Sequence, residues 1–275
     1  CPCRSAAPAG THGDARCVAR AGRRGAAPVR RARDSVTAPG RRRRSFRRRL
    51  HATVSTEPVR IPVTLPTGVS DVSGLWARAQ SPWATIALAH GAGAGMEHPF
   101  LAGLADALVA DGVSVLRFVF PYVEAGRRMP GPAPHAVATW AGVQAWLGTA
   151  APGPWAAVGK SYGGRMASVA CAEKVIAPAA LVYLGYPLHP PGRPDKPRRD
   201  HLPAIEVPQL FVEGENDPFI DPRSQFDEVV ASCQHARVHW VADGNHSFEV
   251  KGARRPALDI GAGLAPVVGE FVRGV

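Results

Sequence analysis

A hydroxyl, a carboxylate and an imidazole occur in this chain in an order and setting that can turn a weak nucleophile into a reactive one. The hydroxyl belongs to Ser161, within Gly159-Lys160-Ser161-Tyr162-Gly163-Gly164. The apolar run Trp155–Val158 precedes it and the small-residue pattern Arg165-Met166-Ala167-Ser168-Val169-Ala170 follows. This context predicts a serine lifted on a sharp strand-to-helix turn. Such a turn forces backbone strain, so glycines are needed where a side chain would collide with the neighbouring strand or helix. Gly159, Gly163 and Gly164 supply that room. A serine hydroxyl still reacts poorly near neutral pH unless a base takes its proton and a carboxylate holds that base in the right tautomer.

Candidates for both partners lie downstream. Asp217 sits in Glu213-Gly214-Glu215-Asn216-Asp217-Pro218, just beyond a predicted strand Gln209–Glu213, and His246 sits in Asp243-Gly244-Asn245-His246-Ser247-Phe248, just beyond a predicted strand Arg237–Val241. Taken alone, Asp217 before a proline reads as a turn aspartate. His246 alone is one of 10 histidines. Each following its own strand, in the order serine, aspartate, histidine, they read together as nucleophile, orienting acid and base on one edge of one sheet. Glu213 and Glu215 are rivals for the acid; Glu213 is expected to end the strand, which leaves Glu215 as the closer competitor.

The fourth element is the loop His90-Gly91-Ala92-Gly93-Ala94-Gly95-Met96, between a predicted strand Ala84–Ala89 and a helix starting near Pro99. Acyl transfer passes through an oxyanion, which peptide N–H groups reach only where no bulky side chain blocks them. One donor is assigned to the amide of Tyr162 and the other to Ala92 or Gly93. A phosphate-cradling role fits less well, because the loop lacks the lysine and serine of a P-loop and the G-x-G-x-x-G spacing. His90 is assigned a structural part. Lys160 is expected to pair with a nearby carboxylate rather than to attract an acidic substrate.

These residues need a scaffold that brings strand ends together. Further strands are predicted at Val59–Thr64, Ser73–Ala79, Val113–Phe118, Trp155–Gly159 and Ala179–Leu184, and helices at Pro99–Ala110, His135–Leu147, Gly164–Glu173, Arg223–Ser232 and Ala257–Val272. The later strands are apolar on both faces, as parallel strands covered by helices are. The fold expected is therefore α/β, a mostly parallel doubly wound sheet with helices on both faces and an antiparallel hairpin edge around Pro66-Thr67-Gly68. The segment Gly185–Leu202 breaks the alternation with its prolines. It leaves the carboxyl end of a central strand, where ligands dock in such sheets, so His189, Arg193, Arg198 and His201 are candidates for lining a substrate pocket.

The formal charge of +11 is uneven. Residues 1–50 hold 15 Arg against Asp14 and Asp34, a formal +13, so the remainder, with 18 basic and 20 acidic residues, sums to −2. That removes the electrostatic case for nucleic-acid binding by the body and leaves it to the leader alone. Residues 1–53 are expected to form a disordered leader, because they offer too little apolar surface to offset their ordering entropy. Among a basic arm, a targeting segment and an upstream stretch wrongly joined to the gene product, the last is favoured; Arg43-Arg44-Ser45-Phe46 is not followed by the apolar stretch an export signal requires. Residues 54–275 are expected to form one domain. Cys171 and Cys233 show no metal or disulfide spacing, which suits a cytoplasmic protein with reduced thiols. No apolar run approaches the roughly 20 residues of a membrane span.

The segments HGAGAGM (His90–Met96), GKSYGG (Gly159–Gly164), GYPLHPPGRP (Gly185–Pro194) with RRDHL (Arg198–Leu202), EGENDPF (Glu213–Phe219) and DGNHSF (Asp243–Phe248) together resemble the small α/β-hydrolase family. That family includes dienelactone-hydrolase-like bacterial proteins and the animal testis-expressed and NSL-complex hydrolase-like domains. The resemblance spans about Val59 to Val272. It implies an α/β-hydrolase fold with Ser161, Asp217 and His246 as nucleophile, acid and base. Dienelactone hydrolases proper use cysteine, so their substrate class is not carried over. The expectation is a serine hydrolase of carboxylesterase or thioesterase type, acting on a small acyl substrate without metal or organic cofactor. The alternatives are a non-catalytic interaction domain of the same fold and a polyanion binder acting through its leader.

Overall fold

The protein is described by a computed structural model over residues 55–275; the leader expected at residues 1–53 lies outside the described residues. The chain enters on a long hairpin, β1 (Thr56–Leu65) and β2 (Gly68–Ala77), paired antiparallel from Thr56 opposite Ala77 to Leu65 opposite Gly68. Its apolar residues alternate, with Ile61, Val63, Val72 and Trp76 buried and the intervening residues turned outward. This is the signature of a sheet edge covered on one face.

From there strands and helices alternate: β3 (Ala84–Ala89), α1 (Pro99–Ala110), β4 (Val113–Phe118), α2 (Pro121–Glu124), α3 (Ala133–Ala150), β5 (Trp155–Lys160), α4 (Tyr162–Ala172), β6 (Ala180–Leu184), β7 (Gln209–Gly214), α5 (Arg223–Ser232), β8 (Ala236–Val241) and α6 (Ala257–Arg273). Prolines mark several helix starts, where a missing N–H costs nothing and the fixed φ suits the first turn. Pro99, Pro132, Pro222 and Pro256 stand at or just before the first helical residue of α1, α3, α5 and α6.

Among the described residues the strands form one sheet in the order β1-β2-β4-β3-β5-β6-β7-β8, parallel from β4 to β8. The chain runs outward from β3 to β4 and then crosses back to lay β5 on the other side of β3. The carboxyl ends of β3 and β5 therefore diverge, and a crevice opens between their loops. This places His90–Met96 beside the Ser161 turn.

Alternate residues of the central strands point into two separate cores. Ile86, Leu88, Val113, Val115, Val158, Val182 and Val212 pack under α1 and α6. Ala87, Leu116, Phe118, Ala157, Leu181, Tyr183 and Phe211 pack under α3, α4 and α5. Strands apolar on both faces are thus buried on both faces, as the fold class requires. The short α2 was not foreseen, because four residues are too few to show a period, and α3 runs beyond the predicted His135–Leu147 at both ends.

Trp140 of α3 is fully buried, edge-on to Phe118 at 5.0 Å and stacked near Trp155 at 6.3 Å between ring centroids. It joins the helix to β4 and β5. We predict that Trp140→Ala costs about 3–5 kcal/mol in urea unfolding, from lost transfer energy and the cavity left behind. A loss under about 1 kcal/mol would contradict this packing.

Candidate active site

The turn between β5 and α4 is where backbone strain concentrates. Ser161 adopts φ 49° and ψ −111°, a region that residues with a side chain rarely enter. It stands at the N-cap of α4, yet its side chain caps nothing, so the hydroxyl is left for other partners. The close approach of loop and helix explains the glycines. A Cβ on Gly163 would lie 2.6 Å from the carbonyl oxygen of His90, and one on Gly159 would strike the backbone of Gly163 and Gly164.

The carboxylate and imidazole arrive on the next loops of the same sheet edge. Asp217, three residues beyond β7, is buried, and its Oδ1 accepts the Phe219 amide at 2.8 Å. Its Oδ2 lies 2.6 Å from Nδ1 of His246, whose Nε2 lies 2.9 Å from Oγ of Ser161. The three side chains therefore form one unbroken line. The rival carboxylates are engaged elsewhere: Glu215 turns to the Asp243 amide, and Glu213 Oε1 accepts the Tyr186 amide at 2.6 Å. Burial pushes the Glu213 carboxyl well above its usual range, with the Asp217 charge adding to the effect.

Four contacts hold the His246 loop. Phe248 is buried in the core that α1 and α6 cover and stacks on Phe100 at 5.8 Å. Asn245 Oδ1 accepts the amides of Ser247 and Glu249, an Asx turn that tightens the loop. Phe219 lies against the imidazole, 4.1 Å between centroids. Lys160 Nζ donates to the His246 carbonyl at 2.7 Å and sits 5.2 Å from the Phe248 ring centroid. The expected carboxylate partner for Lys160 is thus replaced by a backbone carbonyl, because β5 ends directly beneath the loop. Gly185, at φ +71°, makes room: a Cβ there would lie 3.3 Å from the His246 ring. Burial drives the Lys160 ammonium down to about 8, against the opposing pull of Asp217 and Glu213.

Residues 82–258, more than half of the chain, match a family described as an alpha/beta hydrolase domain. The chain belongs to that family. Solved structures with the same fold include dienelactone hydrolase from Anabaena variabilis, with 21% identity, a TM-score of 0.63, and 80% of this chain and 98% of that one covered. An α/β serine hydrolase without a lid from Xanthomonas campestris has 21% identity and a TM-score of 0.58, with 80% and 95% covered. A serine hydrolase homologue from Coxiella burnetii has 16% identity and a TM-score of 0.58, with 79% and 97% covered. Among the described residues of this α/β-hydrolase, no helix is long and apolar enough to cross a membrane.

Ser161 opens into a cavity of about 730 Å³. Its walls include Ala92, Tyr162, Phe100, Ile260, Phe219 and His246. The choice between the two loop amides is narrowed by geometry: Gly93 N–H donates to the Arg128 carbonyl at 3.1 Å, and Gly93 does not reach the cavity, whereas Ala92 lines it. His90 is wholly buried, with Nδ1 against the Gly91 carbonyl and Nε2 accepting the Phe120 amide, so its part is structural. Burial holds its imidazole below the ordinary value.

The Pro-rich segment departs from expectation. Its first half is buried in the core, since Tyr186 packs on Tyr183 and Phe211 and carries Pro187–His189 inward with it. His189 is buried, with Nδ1 on the Pro190 carbonyl, Arg193 is exposed and pairs with Asp195, and His201 Nε2 lies 2.7 Å from Ser168 Oγ. None of these three lines the cavity; of the four candidates only Arg198 does. Arg165, one turn into α4, also lines it. Its place four residues after Ser161, on the face of the helix that begins at the site, was the signal available for it.

The Lys160 bond generates a test that needs no substrate. We predict that Lys160→Met leaves the fold intact but speeds amide hydrogen exchange across Asp243–Phe248 by about 10- to 100-fold, the loss of one charge-assisted hydrogen bond. Unchanged protection in that loop would show that Lys160 does not hold it.

Proposed function

We propose that this α/β-hydrolase is a serine hydrolase that cleaves an ester, thioester or related acyl bond through an acyl-enzyme. One observation carries the reading: the continuous line from Asp217 Oδ2 through His246 to Ser161 Oγ, at 2.6 and 2.9 Å, ending in the cavity. Ser161 Oγ attacks the acyl carbon while His246 Nε2 takes the hydroxyl proton. Asp217 keeps the other imidazole proton on Nδ1 and stabilises the imidazolium that forms. The amides of Tyr162 and Ala92 bind the oxyanion. His246 then protonates the leaving group as the carbon–heteroatom bond breaks. Water, deprotonated by the same nitrogen, next attacks the acyl-enzyme and releases the acid with Ser161 restored.

His246 suits this part electrostatically. Burial pushes its imidazole below the ordinary value, and this outweighs the Asp217 hydrogen bond that pulls it up. The ring is therefore neutral near pH 7 and ready to accept a proton. A cytoplasmic setting belongs to the same reading and is supported by Cys171 and Cys233, two unlinked, half-buried thiols.

A fluorophosphonate probe tests the proposal, because it reacts only with an activated serine. Wild-type protein is expected to label on the Ser161 peptide, Ser161→Ala not at all, and Asp217→Asn more slowly by about three to four orders of magnitude. Equal labelling of wild type and Ser161→Ala, or none of the wild type, would overturn it.

A further inference from the structure

The cavity over Ser161 carries a positive charge that the acyl-transfer steps do not use. Arg165 reaches it from the first turn of α4 and Arg198 from the segment after β6. Among the described residues neither guanidinium has an ion-pair partner. Asp217 is committed to His246, Glu213 to the Tyr186 amide and Glu215 to the Asp243 amide. The acidic residue on the cavity wall, Glu249, is exposed and accepts from Asn245 Nδ2 at 3.2 Å.

What holds the two arginines is neutral. The Arg165 guanidinium lies 5.8 Å from the Tyr162 ring centroid, and its Nε is shut off from water with no partner. Arg198 donates to the Pro187 carbonyl at 3.3 Å, while the Arg198 carbonyl accepts from Tyr186. The two charges act on the same space. Burial first, then the Arg165 charge, pushes Arg198 below its ordinary value and His201 down to about 4. His201 is therefore neutral beside Ser168 and adds no third positive charge. Lys160, the third cation on the wall, is spent on the His246 carbonyl.

Two like charges kept together, part-buried and unpaired, cost free energy that an anion between them would recover. Planar guanidinium forks match an oxyanion in geometry as well as charge. We infer that Arg165 and Arg198 form an anion subsite beside Ser161, and that the acyl substrate carries a carboxylate or phosphate group held there. The inference rests on the serine-hydrolase reading for its chemistry and on the cavity wall for its selectivity. The remaining wall, with Phe100, Leu101, Phe219 and Ile260, suits an apolar body between the charged end and the scissile bond. Such a substrate places its charge at the arginines and its carbonyl at Ser161, so binding of the remote group serves to orient the reacting one.

Matched esters test this. On the acyl side, 4-nitrophenyl hemiglutarate is compared with 4-nitrophenyl valerate. On the leaving side, phenyl acetate is compared with analogues bearing a para carboxylate or a para phosphate, which separates the two anions. Wild type is expected to prefer a charged member by about 10- to 100-fold in kcat/KM, and Arg198→Gln and Arg165→Gln each to lower that preference by about 10-fold or more. Equal rates on charged and neutral esters in wild type, or a preference that survives both substitutions, would overturn the subsite and leave the hydrolase reading standing. Should no ester be cleaved in a Ser161-dependent way, the hydrolase reading fails instead. Calorimetric binding of monomethyl glutarate and of inorganic phosphate then decides the subsite alone: binding lost in Arg198→Gln supports it, and no binding by wild type overturns it.

Discussion

A buried carboxylate facing an imidazole at 2.6 Å is the interaction on which the rest of this structure depends. The Asp217 side chain is wholly out of solvent, while the His246 side chain keeps 21% of its surface. A carboxylate taken out of water is costly unless its lone pairs are satisfied. Here the His246 ring and the Phe219 amide do so, one on each oxygen. The same bond fixes which ring nitrogen faces Ser161. Position and tautomer are set together.

The sheet makes that bond possible by ending three strands at one rim. β5 delivers Ser161, β7 delivers Asp217, β8 delivers His246, and the crossing between β3 and β5 leaves space above the serine. The accompanying strain is local. Ser161, Asp243 and Phe248 all adopt positive φ without being glycine. Two large apolar cores hold these turns against relaxation, and Phe248 links the His246 loop to one of them directly. Lys160 adds a second tie from beneath, so the strand that carries Ser161 also restrains the His246 loop. A site built this way exchanges folding energy for preorganisation.

Much of this was legible in the residue pattern because it is local. Apolar runs with Pro and Gly punctuation marked the eight strands of the described residues, and the glycines around Ser161 marked the strained turn. Asp217 and His246 could be placed because each follows its strand by only a few residues. What escaped depends on packing at a distance. His189 and His201 have the chemistry of pocket residues, but Tyr186 draws the start of their segment into the core and leaves His201 against Ser168. Arg165 reads as an ordinary helical residue; its spacing from Ser161 puts it on the turn nearest the site, but spacing alone does not say that this turn opens onto the cavity. Lys160 was expected to meet a carboxylate, yet the geometry of β5 presents it to a carbonyl. No periodicity encodes which of several polar groups lies nearest across 86 residues.

The most direct test of the central interaction is the protonation state of the His246 ring, read from long-range nitrogen–proton NMR spectra of histidine-labelled protein across a pH series. The account predicts a neutral ring at pH 7 with its proton on Nδ1, titrating below 6.5, and loss of that tautomer preference in Asp217→Asn. A ring charged at pH 7, or one protonated on Nε2 in the wild type, would contradict it.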